Sequence, residues 1–250
     1  METPADWSKQ WEREPLDAEA PFAEERTLRW REQESLIRGR FGSFERLRAI
    51  ELGSGRGLNA FLFARRGSAV TLVDTSAAAL GQAGTIFTAH GLDLESVQAD
   101  VFALPEELLG TFDVSMSYGL CEHFVGERRQ AVVAAHLTAL RPGGVALIGV
   151  PNRFAPVYRL WLKTLMVTGS WPLGTEVPFS AGELRRLAVR AGGEPLDPRY
   201  GSFAGSVVNH GVNQLLFKLG RKRGLPVPQI RIPGLDRMAY ELLLPVVKPT

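Results

Sequence analysis

The chain is predicted to fold as an α/β domain built on a doubly wound, mostly parallel sheet. Three observations carry that expectation. Short apolar runs near 48–52, 69–73, 95–99 and 112–117 alternate with helical stretches at about 57–66, 77–90 and 124–140. A glycine turn, Glu51-Leu52-Gly53-Ser54-Gly55-Arg56-Gly57, follows the first run. An acid, Asp74, closes the second. Strands that alternate with helices join by right-handed crossovers, and such sheets bind ligands beyond the carboxyl ends of their strands.

Each element can be justified in order. Residues 4–40 are rich in Glu and Arg and read as helical, with breaks at Pro15 and Pro21. Trp7 and Trp11 lie four apart and share one helix face. With Trp30 they either roof a pocket or pack a helix on the core. Val145 to Val150 makes a fifth strand, entered through Leu140-Arg-Pro-Gly-Gly144. Ser180-Ala-Gly-Glu183 has the form of a capping box and starts a helix that Gly192-Gly193 stops near Ala191. The last strand is expected over Tyr240 to Val247. Segments 151–179 and 201–236 exceed what this scaffold needs, and insertions at that end of a sheet build substrate pockets. The chain therefore divides into 1–44 as an N-terminal helical lid, 45–150 as the ligand-binding core, and 151–250 as completion of the sheet.

The glycine turn narrows the ligand. Glycines let the backbone turn sharply and approach a bound group closely, and a carboxylate such as Asp74 can accept two hydrogen bonds from ribose hydroxyls. That describes a pocket for an adenosine-containing cofactor. A dinucleotide loop needs a third glycine at the position of Leu58, but here it comes one residue early, at Gly57. The leading acid, Glu51, suits a ligand bearing ammonium and sulfonium groups better than a pyrophosphate. A nicotinamide-dependent dehydrogenase is disfavoured on both counts.

These residues resemble the class I S-adenosylmethionine-dependent methyltransferases over about residues 45 to 150. Glu51 to Gly57 is similar to the family's first motif, Asp74 to its ribose-binding acid, and Ala99-Asp100-Val101-Phe102 to its adenine motif. Phe112 to Ser117 resembles strand four, and Leu140 to Val150 resembles the turn into strand five. The resemblance implies a Rossmann-like, seven-stranded, mostly parallel sheet with an antiparallel last strand. It also implies S-adenosyl-L-methionine as cofactor, held by Glu51, Gly53, Ser54, Gly55, Asn59, Asp74, Thr75, Asp100, Val101, Phe102, Ser117 and Tyr118.

Methyl transfer needs positioning, exclusion of water and, for an O–H or N–H acceptor, a base. Tyr118-Gly-Leu-Cys-Glu-His-Phe124 is similar to the Glu-His pair of ubiquinone-type O-methyltransferases, some of which recruit a divalent metal nearby. Glu122 and His123 are thus candidate catalytic groups, with His123 able to take a hydroxyl proton near neutral pH. The opposing reading is a helix cap and pocket wall. His210, in Ser206-Val-Val-Asn-His-Gly-Val-Asn213, is a further candidate, because Asn209, His210 and Asn213 are polar positions in an apolar stretch. His90 and His136 read as surface or packing residues.

No H-x-x-x-H or paired cysteines occur, so no metal is expected. A nucleic-acid substrate is disfavoured, since Ser117-Tyr-Gly-Leu stands where base methylases often carry Asn/Asp-Pro-Pro-Tyr/Phe. The expected activity is transfer of a methyl to a small-molecule hydroxyl. N- or C-methylation and a non-catalytic cofactor-binding subunit are the alternatives.

Charge is uneven along the chain. Residues 1–25 hold eight acids against Lys9 and Arg13, whereas residues 153–250 hold 14 Lys/Arg against six acids. Apolar residues and bases interleave over 154–173 and 215–223, so these segments either touch a membrane surface or pack as a lid on the core. A single cysteine, Cys121, suits a reducing compartment, and no run reaches the roughly 18 apolar residues of a spanning helix. A cytoplasmic protein is expected, and a homodimer is left open.

Overall fold

The computed structural model describes residues 7–13 and 15–250; residues 4–6 and 14 of the expected N-terminal helical region lie outside these. Three helices come first: α1 (Trp7–Arg13), α2 (Ala20–Glu25) and α3 (Leu28–Phe41). Pro21 does not break this region. It occupies the first turn of α2, where its missing N–H costs nothing. The break falls instead at Thr27, whose hydroxyl accepts from Trp30 N and caps α3.

The core follows as β1 (Arg48–Leu52), α4 (Leu58–Ala64), β2 (Ala69–Asp74), α5 (Ala77–Ala89), β3 (Glu95–Gln98), β4 (Phe112–Tyr118), α6 (Gly126–Ala139) and β5 (Leu140–Pro151). Beyond it lie α7 (Pro156–Val167), α8 (Ala181–Arg190), β6 (Glu194–Pro195), β7 (Arg199–Tyr200), α9 (Phe203–Val207), α10 (Gln214–Lys218) and β8 (Glu241–Val247). A π-helical turn, Val208–Asn213, joins α9 to α10.

The sheet order is β3-β2-β1-β4-β5-β8-β6, with β7 also paired to β8. β1 to β5 run parallel and β8 is antiparallel to β5, as expected. The strand segments number eight rather than seven, because the edge strand is split. Glu194–Pro195 and Arg199–Tyr200 both pair with β8, and the register shifts by one residue between them. Pro198 in the gap has no N–H to offer the ladder, so pairing lapses there. The expected turn at Leu140 to Gly144 lies inside β5 as an irregularity: Phe112 pairs with Leu140 and Val114 with Val145.

Apolar side chains cover both faces of the sheet, as a doubly wound fold requires. On one face α6 and α8 pack Val132, Val133, Leu184 and Ala188 against Ile50, Leu52 and Ile148. On the other, α3, α4 and α5 pack Trp30, Phe61, Phe63 and Phe87 against Ala49, Leu72 and Val114. Trp30 is therefore a core residue and not part of a lid. Strand order reverses between β1 and β4, and a crevice opens at their carboxyl ends.

Candidate functional site

The crevice holds a cavity of about 750 Å³. Its floor is the glycine turn after β1. Gly57 adopts φ +65° and stands as N-cap of α4, and a Cβ there would lie 2.6 Å from Leu72 Cδ1. This explains the early third glycine: close helix–strand packing occurs at Gly57, while Leu58 is the first residue of the helix. Gly55 has φ +52°, and a Cβ there would meet the Trp11 ring at 2.6 Å. α1 thus lies directly on the turn, tied by Gln82 Nε2 donating to Trp11 O (2.7 Å) and by Arg56 over the Trp11 ring.

Two carboxyls brace the turn. Asp74 Oδ2 accepts from Gly55 N and Oδ1 from Ser76 N, each at 2.8 Å. Glu51 is buried, and its Oε2 accepts from Ala60 N at 2.9 Å. Burial pushes the Glu51 carboxyl up to about 8, against the opposing pull of the Ala60 N–H and Arg29. Asn59 Oδ1 accepts from Gln33 Nε2, and Gln33 Oε1 accepts from the Tyr118 hydroxyl, so α3, α4 and β4 share one polar chain.

Of the residues expected at the cofactor, Glu51, Gly53, Ser54, Gly55, Asn59, Asp74, Thr75, Asp100, Val101 and Tyr118 line the cavity. Ser117 and Phe102 do not. Ser117 is wholly buried with its hydroxyl on His136 Nε2 (2.9 Å), because alternation along β4 turns it away from the crevice. The Phe102 ring packs edge-on against Phe124, and its N–H donates to Asp100 Oδ1. His136 and His90 are packing residues as expected, the first wholly buried and the second against Phe22 and Phe61.

The candidate catalytic groups separate. His123 lines the cavity, in the 3₁₀ turn Cys121–His123 after β4. Its Nδ1 lies 2.7 Å from Thr175 O, a group that only accepts, so Nδ1 carries the proton and Nε2 is left as acceptor. Burial lowers the His123 pKa, opposed by the Thr175 and Gly119 carbonyls, and the ring is neutral at pH 7. Trp7 contacts it edge-on at 4.8 Å.

Glu122 turns inward instead. It is 2% exposed, its Oε2 has no hydrogen-bond partner, and burial followed by the charge of Glu176 pushes it up to about 8. His210 is outside the cavity lining, packed among Tyr158, Trp161 and Tyr240 at 4.5–5.3 Å. Burial holds it down at about 4. Asn213 clamps a loop: its Nδ2 donates to Leu225 O and its Oδ1 accepts from Leu225 N. His210 and Asn213 thus pack within the insertion, Asn209 is exposed, and none of the three lines the cavity.

Sequence reasoning missed Arg29, Glu24 and Gln33. Arg29 pairs with Glu24 (2.5 Å), lies 3.6 Å from Glu241 and stacks 4.3 Å over the Tyr118 ring. In helices rich in Glu and Arg such residues look like a solvated face, and only the i, i+4 spacing of Arg29 and Gln33 hints otherwise. Among the described residues no group of three or more His, Cys, Asp or Glu is arranged to hold a metal.

Residues 49–144 match the family model of the methyltransferase domain. Over 154 residues the chain is 29% identical to the ubiquinone biosynthesis O-methyltransferase of Azotobacter vinelandii, covering 62% of this chain and 61% of that one. Over 110 residues it is 34% identical to the enzyme of the same name from Caulobacter vibrioides, covering 44% and 43%. The chain thus spans less than two thirds of the length of either relative. Among solved structures, a putative sarcosine dimethylglycine methyltransferase from Galdieria sulphuraria superposes with a TM-score of 0.64 at 16% identity, over 97% of both chains. Residues 49–144 thus match a methyltransferase domain, and in sheet order, glycine turn and strand-end acids the chain is similar to the class I S-adenosylmethionine-dependent methyltransferases.

Proposed function

We propose that the protein transfers a methyl group from S-adenosylmethionine to a hydroxyl oxygen of a small-molecule acceptor. The observation that carries this reading is His123, a neutral imidazole in the same cavity as the glycine turn with Nε2 left as an acceptor. The ubiquinone biosynthesis O-methyltransferases among the relatives point the same way.

The residues present fit the cofactor. Gly53 and Gly55 line the cavity in the left-handed backbone region, the buried Glu51 carboxyl suits a cationic methionine end, and Asp74 stands at the end of β2 for a ribose. Asp100 and Val101 then flank an adenine. When bound, S-adenosylmethionine supplies an electrophilic methyl on a cationic sulfur. Trp7, Trp11 and α1 exclude water from above, and Tyr118 and Leu120 form the wall beside the reacting end. His123 Nε2 takes the acceptor hydroxyl proton as the methyl–oxygen bond forms and the methyl–sulfur bond breaks; Nδ1 keeps its hydrogen bond to Thr175 throughout.

The test is turnover with hydroxylated aromatic acceptors, scored as methyl ether and S-adenosylhomocysteine by mass spectrometry. His123→Ala should lower kcat by about 10²–10⁴ while leaving the cofactor Kd unchanged. Unchanged kcat in that variant, with methyl recovered only on nitrogen, would refute O-transfer through His123. An amine acceptor is the second reading, favoured by the Glu122 and Glu176 carboxyls buried behind the wall at Gly119 and Thr175.

A further inference from the structure

The two insertions carry a surface that methyl transfer does not use. α7 packs side by side with the π-helical turn: Tyr158 and Trp161 meet His210 at 5.2 and 5.3 Å, and Val157 faces Gly211. That contact buries Tyr158 and Leu162 and leaves the other sides of both helices in solvent. Of the eighteen large hydrophobic side chains exposed among the described residues, eleven lie in 154–167 and 212–230. They include Phe154 (64% exposed), Leu160 (69%), Val167 (78%), Leu215 (59%) and Leu219 (72%). Sequence alone left open whether these segments pack as a lid on the core. Tyr158, Trp161, Leu162 and Trp171 pack together, whereas the eleven exposed residues do not.

The charge around them has one sign. Arg153, Arg159 and Lys163 in the first segment, and Lys218, Arg221, Lys222 and Arg223 in the second, are all exposed. No Asp or Glu occurs in 151–175 or 198–235. An apolar face rimmed by bases and free of acids matches an anionic lipid surface, where the hydrocarbon side chains enter the interface and the bases meet phosphates. A protein partner of mixed charge would call for acids on this face as well. No helix among the described residues is long and apolar enough to cross a membrane, so any such contact is peripheral.

We propose that α7 and the α9–α10 insertion form a docking face for an anionic lipid bilayer. The loop that follows α7 supplies Leu173 and Thr175 to the cavity wall, so the docked face adjoins the side of the cavity where His123 lies. This inference does not depend on which atom is methylated.

The experiment is co-sedimentation of the full chain with phosphatidylcholine vesicles containing phosphatidylglycerol, beside pure phosphatidylcholine vesicles. Binding to the anionic vesicles alone is expected, weakening by about five-fold for each base removed and falling as salt rises. The variant carrying Lys218→Glu, Arg221→Glu, Lys222→Glu and Arg223→Glu should stay in the supernatant, and Leu160→Ser with Leu219→Ser should bind more weakly. An unchanged circular dichroism spectrum and Tm show that these surface variants are folded. No sedimentation of the parent chain, or equal sedimentation of the charge-reversed variant, overturns the proposal. So does a lipid-independent dimer in light scattering that Leu219→Ser dissolves, which would assign the face to a second copy; capture by homopolymeric RNA without vesicle binding would also overturn it.

Discussion

Glu51 is a carboxyl that burial holds protonated at neutral pH. Its pKa near 8 arises from burial, and a cationic methionine end beside it would favour the charged form and expel the proton. Cofactor affinity should therefore rise with pH up to about 8 and then level off, with proton release detectable by calorimetry in buffers of different ionisation enthalpy. Glu51→Gln should flatten that dependence, and a pH-independent Kd in the parent chain would separate Glu51 from the cofactor. Sequence placed this acid correctly at the start of the turn, and it named His123 and Asp74 as well. It also grouped Ser117, Phe102, Glu122 and His210 with them. Proximity in a motif does not say which way a side chain points: strand alternation turned Ser117 to His136, and a 3₁₀ turn sent Glu122 and His123 in different directions.

At the scale of elements, the scaffold strands and helices follow from periodicity, and their boundaries moved by only a few residues. The insertions were less legible. The α9–α10 helix contains a π turn that no local pattern announces, and one of its polar residues, Asn213, serves the loop that follows. Asn213 satisfies both backbone groups of Leu225, and a Cβ on Gly224 would lie 2.6 Å from its side chain, so the loop sits tightly on it. Asn213→Ala should leave those groups unpaired at a cost of about 1–3 kcal/mol. The loop should then become open to trypsin at Arg221 to Arg223, and resistance equal to the parent's would show that the clamp is dispensable. The capping box at Ser180 is likewise only half formed. Ser180 accepts from Glu183 N, but the Glu183 carboxylate takes Arg129 Nε (2.8 Å), which joins α8 to α6.

Over the whole molecule, buried titratable groups set the dependence of stability on pH. Glu51 and Glu122 are held near 8 and Glu176 near 7, so the folded state keeps protons that the unfolded chain releases above about 4.5. Stability from these groups is lost progressively as pH rises from about 4.5, and the loss is complete once pH has passed through 7 to 8. His136 and His210, held near 4 by burial, act in the opposite sense: the folded state is disfavoured as pH falls from 6.5 towards 4. Above about pH 6.5 only the acids act, so Tm should fall between there and pH 8. Glu122→Gln, which removes one buried acid, should raise Tm at pH 8 relative to the parent but not at pH 5, by roughly 2–4 °C per kcal/mol. A parallel pair of Tm–pH curves for the two proteins would rule this out.

The sequence by itself determined the scaffold and the class of cofactor. Both rest on local rules: strand and helix periods, a turn that tolerates only glycine, and an acid at a strand end. Tertiary structure alone decided which polar residues reach the cavity, that Arg29 joins it from α3, and that the bases and many apolar residues of the insertions face solvent. Those outcomes depend on packing between segments as far apart as α3 and β8, or α7 and the π turn. No spacing within one segment encodes such contacts.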